Sequence, residues 1–124
     1  MTTEREDLEV VDGIGVFRPA GTFHWRQAVG MVSRGIGHAK ALELKKLLIV
    51  TTRLEGFKSP SVAARVEVVR EWAEAADGRM TIAMVVRRDF IDPGRIGVVA
   101  AAIFGASTHV FESEAEAMKW LRDH

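Results

Sequence analysis

Apolar residues take two patterns that alternate along this chain: short unbroken runs, and stripes recurring at steps of three and four. Unbroken runs of four to eight suit buried strands, and the stripes suit helices with one face inward. Leu8 to Val11 and Ile14 to Arg18 are short runs joined by Asp12-Gly13. Both turn residues tolerate positive φ, so the pattern predicts an opening hairpin. Leu47 to Val50 has no polar alternation, which predicts a strand covered on both faces at the centre of a mainly parallel sheet. Met80 to Val86 reads as a second buried strand, and Thr108 to Glu112 as a last, shorter one.

Four helices are expected between and after these strands. Thr22 would cap the first, whose Trp25, Val29, Val32, Ile36 and Ala39 form one stripe. Gly30, Gly35 and Gly37 each weaken a helix by about 1 kcal/mol relative to alanine, although a small residue there can also mark close packing against a sheet. Ser59 at the N-cap and Pro60 at N1 would open the second helix, with Val62, Val66, Val69, Ala73 and Ala76 inward and Asp77-Gly78 as its end. Asp92-Pro93 repeats that start for a third helix carrying Ile96, Val99, Ala100 and Ile103, ended by Gly105. Ser113 and Glu116 form a capping box for the last, with Ala117, Trp120 and Leu121 inward. The expected class is therefore α/β: a mixed, mostly parallel five-stranded sheet with four helices, the hairpin supplying the antiparallel edge.

The 124 residues are the size of one domain, and no linker or repeat divides them. Seventeen basic residues balance seventeen acidic ones, which argues against nucleic acid as a partner and mildly favours self-association. There is no cysteine, which excludes disulfides, thiolate metal sites and a cysteine nucleophile. The first ten residues lack the basic start and apolar run of a signal peptide, and no run is long enough to span a membrane. A cytoplasmic location is expected.

The wording of HWRQAV, LLIVTT, MVVRRDFIDPGRIG and VFESEAEAMKWL, together with the element order, resembles the STAS group of anti-sigma-factor antagonist domains, and more closely the bacterial SpoIIAA-like single-domain proteins. The resemblance runs from about Val10 to Leu121. It implies a non-enzymatic regulatory module that binds a protein partner, in which phosphorylation of a serine at the start of the second helix switches binding. Laying helix on helix puts Pro60 nearest the acceptor position and Lys58 where an aspartate usually precedes it. Both departures weaken the phospho-switch and leave Ser59 and Ser61 as the neighbouring serines.

Candidate chemistry gathers at the edge onto which the loops after the parallel strands open. Arg53, Lys58, Arg87, Arg88 and His24 all fall there, beside helix starts whose free N–H groups favour an anion or an acidic partner segment. A phosphate on Ser59 or Ser61 would meet the same groups. His24 is the one histidine placed to act as a general base; His38 and His109 lie elsewhere, and none has metal-ligand spacing. Ser59, His24 and Asp89 supply the residue types of a Ser-His-Asp triad, but no nucleophile elbow holds the serine. Neither GIG, at residues 13–15 or 35–37, extends into a phosphate-binding glycine motif. Trp72 and Trp120 read as packing residues. No cofactor is expected. The third helix, apolar nearly all round, points to cover on two sides, by a second copy in a homodimer or by a small lipid-like ligand.

Overall fold

In the computed structural model, which describes residues 8–57, 61–78, 80–88 and 107–123, the chain opens with the expected hairpin. Strands β1 (Leu8–Val11) and β2 (Ile14–Phe17) pair antiparallel, from Leu8 opposite Phe17 to Val11 opposite Ile14. Asp12 and Gly13 take φ of 52° and 78°, the two left-handed conformations of a type I′ turn, whose twist matches that of the strands.

Strand β3 (Gly21–Thr22) and helix α1 (Trp25–Ala41) follow, then β4 (Lys46–Val50) and β5 (Leu54–Glu55). Helix α2 (Val62–Ala76), β6 (Thr81–Val85), β7 (Ser107–Phe111) and α3 (Glu114–Asp123) complete the described elements. The main sheet has the order β1-β2-β4-β6-β7, parallel except for the hairpin. The mixed five-stranded α/β class expected from the pattern is the one observed. Three helices lie among the described residues; the helix expected from Asp92 to Gly105 falls outside them.

β4 sits at the centre, and its unbroken run is explained by cover on both sides. Leu47 and Ile49 enter a core with Phe17, Ile82 and Met84 of the sheet and Val32, Ile36, Ala39 and Ala76 of α1 and α2. Leu48 and Val50 face the other way, into a core with Val16, Ala83 and Val85 closed by Ala117 and Leu121 of α3. The Lys46 ammonium donates to the Leu121 carbonyl, which places a cation on the unsatisfied C-terminal end of α3.

Four of the five stripe residues of α1 are buried, and Trp25 is half-buried. Gly35 explains its own presence: a Cβ there would stand 2.6–3.0 Å from three ring atoms of the fully buried Phe17. In α2, Ala73 and Ala76 are buried as expected, Val66 and Val69 only half, and Val68, outside the expected stripe, is buried. Asp77 ends α2 in the left-handed conformation, φ 53°.

Both expected starts of α1 and α2 are corrected. Thr22 belongs to β3, which pairs parallel with β5; the Gly21 and Phe23 amides donate to the Arg53 and Glu55 carbonyls at 3.2 and 2.8 Å. That pairing keeps the backbone extended past Thr22, so the N-cap falls on His24. The cap of α2 is Ser61, whose hydroxyl accepts from the Ala64 amide at 3.2 Å, and not Ser59. Ser113 does cap α3, accepting from the Glu116 amide at 3.3 Å.

Candidate functional site

The carboxyl ends of β2, β4 and β6 open onto one edge, because all three strands run the same way. In open α/β sheets that is where ligands and partners are met, since loops there are free of the ladder and helix N-termini point toward them. The edge is built from the β3–β5 pair, the residues around it and the start of α2. Thr51 ties its loop to the sheet: its amide and hydroxyl both donate to the Val85 carbonyl, at 2.9 and 3.1 Å. The chain then turns back through Leu54, which is buried, so β5 is anchored and the residues beyond it are presented outward.

Those residues are aromatic as well as basic. Phe57 meets Trp25 edge-to-face, with centroids 5.4 Å apart and planes at 61°, linking the loop before α2 to the first turn of α1. The Phe23 ring lies against the α-carbon of Gly21. Phe23, Trp25 and Phe57 are each half-buried, which leaves an apolar shelf partly open.

The expected site residues are distributed as follows. His24 is exposed at the N-cap of α1, and its amide donates to the Gln27 side chain at 3.0 Å. Arg53 is exposed, with its carbonyl held by Gly21. Arg88 pairs with Glu112 at 3.3 Å, and Arg87 is half-buried. Ser61 is exposed. Lys58 and Ser59 fall outside the described residues, as does Asp89, so only the His24 member of the paper triad is located. Trp72 and Trp120 do pack: the Trp72 indole donates to the Val29 carbonyl at 3.2 Å, and Trp120 stacks on His109 with centroids 5.5 Å apart.

An ionic clasp that the sequence did not disclose holds this edge to α3. The Arg18 guanidinium, just past β2, donates to both carboxylate oxygens of Glu114, the shortest contact 2.8 Å, and also meets Glu9 at 3.3 Å. The partners are 96 residues apart, and nothing local marks Glu114 as more than a first-turn acid. The hydrogen bonds from Arg18 are the main reason the Glu114 carboxyl sits below its ordinary value, helped by the charges of Arg18 and Arg53 and opposed by partial burial. The Arg18 guanidinium is raised by the same hydrogen bond.

A lowered folded-state value means that the clasp stabilises fully above the ordinary glutamate range and loses its effect as pH falls through and below about 4.3. Glu114→Gln should therefore cost under about 1 kcal/mol at pH 7, because both side chains are more than one-third exposed and water screens the pair. The difference from wild type should be smaller at pH 3 than at pH 7. Urea unfolding at the two pH values measures this, and a difference that grows with acid would contradict it.

The sequence matches no family model and no curated protein. Among solved structures, the chain is similar to an anti-sigma factor antagonist from Mycobacterium paratuberculosis, with a TM-score of 0.59, 19% identity, and 94% of this chain and 92% of that one covered. It is also similar to the protein TM1081, solved by NMR, with a TM-score of 0.50, 14% identity, and 94% and 88% covered. The fold is thus shared with an anti-sigma factor antagonist over nearly the whole length of both chains.

Proposed function

We propose that this protein is a regulatory interaction module that presents the edge around β3, β5 and the start of α2 to a protein partner. The observation that carries the reading is the aromatic shelf of Trp25 and Phe57 ahead of the exposed, capping Ser61. Half-buried aromatic rings on anchored backbone are what hot spots in protein interfaces use, since they bury large area with few torsions to freeze. The fold shared with an anti-sigma factor antagonist supports a partner of protein kind. The described edge mixes apolar rings with paired charges, Arg18 with Glu114 and Arg88 with Glu112, which suits a protein surface better than a small anion.

Ser61 is the serine at which a phosphate would act. Its hydroxyl is the α2 cap, so phosphorylation would place the new charge at the helix N-terminus, four residues after Phe57 in the chain. The test uses the immobilised full chain and extracts of its own cell, with wild type, Trp25→Ala, Ser61→Ala and Ser61→Asp compared by quantitative mass spectrometry. Trp25→Ala should cut recovery of the specific partner at least tenfold, about 1.4 kcal/mol. Ser61→Ala should cost about 1 kcal/mol of stability through the lost cap and leave recovery nearly unchanged, whereas Ser61→Asp should change it. Equal recovery by Trp25→Ala and wild type would remove the edge as the binding surface.

A further inference from the structure

Among the described residues, no strand pairs with the outer edge of β1. β1 pairs with β2 on one side, and the two-residue turn at Asp12-Gly13 sets the register. In such a hairpin the residues flanking the turn, Val11 and Ile14, exchange backbone hydrogen bonds. By alternation Glu9 does the same with Val16, while the N–H and C=O groups of Leu8 and Val10 point away from β2, to the open side. Sheet edges are blunted by shortness, charge, proline or a bulge. β1, four residues of sequence LEVV, is short but carries no proline, lysine or bulge, and its register is unbroken. Its one charge, Glu9, is paired with Arg18 at 3.3 Å. Among the described residues the large apolar side chains left exposed are Val10 at 55%, Val11 at 40% and Leu42; two of the three lie on this strand.

We infer that β1 pairs antiparallel with β1 of a second copy of this chain, about a two-fold axis through Val10, to join two five-stranded sheets into one of ten strands. The strand itself selects this occupant. Only Leu8 and Val10 present outward backbone groups, so hydrogen bonding allows an axis at Leu8, Glu9 or Val10, and an axis at Leu8 would set Glu9 against Asp7, two like charges. An axis at Glu9 would set two carboxylates opposite each other, which is unfavourable. The axis at Val10 instead sets Val10 against its own copy, Glu9 against Val11 and Leu8 against Asp12. The exposed valines are thereby covered and no like charges face one another. The balanced charge of the chain, seventeen basic and seventeen acidic residues, adds no repulsion between copies. One strand pair is a small interface, so the association is weak and concentration-dependent. It uses backbone groups of β1, not those of the β3–β5 pair in the edge proposed above for a protein partner.

The absence of native cysteine gives a direct test. Across the proposed axis the two Val10 α-carbons would lie about 5.5 Å apart, inside the roughly 4.4–6.8 Å span of a disulfide. Full-length Val10→Cys should cross-link to a dimer under mild oxidation at least tenfold faster than Glu55→Cys, which is exposed on the β3–β5 pair. In sedimentation over about 10 μM to 1 mM, wild type should move from monomer toward dimer. Val10→Lys, which sets two cations across the axis, should keep the chain monomeric at least tenfold higher in concentration. Val10→Pro removes an outward N–H without touching the β2 ladder, and should do the same while keeping its thermal transition within a few degrees. A chain monomeric at 1 mM overturns the inference, as does a dimer indifferent to Val10→Lys or equal cross-linking at residues 10 and 55. Protection of the Val10 amide from exchange in a strict monomer would show a segment of the same chain on this edge, and would overturn it too.

Discussion

Replacing Gly35 by valine is expected to destabilise the protein by about 2–3 kcal/mol, the usual cost of forcing volume into a filled core. In the structure a Cβ at this position would stand 2.6, 2.8 and 3.0 Å from ring atoms of Phe17. That ring is wholly buried among Val32, Ile36, Leu47 and Ile49, so it has no free rotamer to move into. Either α1 lifts off the sheet or the ring displaces its neighbours, and both disturb the face on which α1 and α2 sit. In thermal unfolding the loss should lower Tm by about 10 °C for a chain of this size. Gly37, two residues on, is the matched control: a Cβ there meets nothing within 4 Å. Gly37→Ala should raise stability by about 0.5–1 kcal/mol through helix propensity alone. Two glycine substitutions in one helix are thus expected to shift Tm in opposite directions; a common direction would mean that the packing of α1 on Phe17 is not the deciding contact.

Gly56→Ala is expected to open the β3–β5 pair while leaving the main sheet intact. Gly56 has φ 103°, and a Cβ on it would lie 2.5 Å from the Phe23 carbonyl oxygen. Backbone held in a ladder cannot move aside as a side chain tip can, and the left-handed region adds its own cost to any residue with a Cβ, about 1–3 kcal/mol. Release of the Gly21 and Phe23 amides from Arg53 and Glu55 should speed their hydrogen exchange by about tenfold or more, while amides of β4 remain protected at the level of global unfolding. Because Phe23, Trp25 and Phe57 are all positioned by this pair, partner recovery should fall with Gly56→Ala as it does with Trp25→Ala. Unchanged exchange at Gly21 and Phe23 would show that the short pair does not hold the edge.

The two substitutions act on features that differ in how far the sequence discloses them. The stripe of α1 announces the helix despite three glycines, because burial of Val29, Val32, Ile36 and Ala39 outweighs about 1 kcal/mol per glycine. Which glycine is indispensable depends on Phe17, eighteen positions earlier, and so on tertiary contact. Arg53 and His24, expected at the loop edge, are both exposed there, whereas the cap of α2, expected at Ser59, falls on Ser61. The β3–β5 pair was not legible, because two-residue strands carry no periodicity to detect. It moved the start of α1 from Thr22 to His24 and gathered Phe23, Trp25 and Phe57 into one shelf.

The order of the five strands of the main sheet, the opening hairpin at Asp12-Gly13, the central place of Leu47 to Val50 and the Asp77-Gly78 helix end all follow from the sequence. Each rests on local rules: the period of burial, the tolerance of Asp and Gly for positive φ, and the need of a strand between two layers to be apolar on both faces. Tertiary structure alone decided that Ser61 caps α2 and that Arg18 clasps Glu114 across 96 residues. These depend on the meeting of segments distant in sequence, where registers compete at energies too close for local preference to choose, and packing of the whole domain selects one.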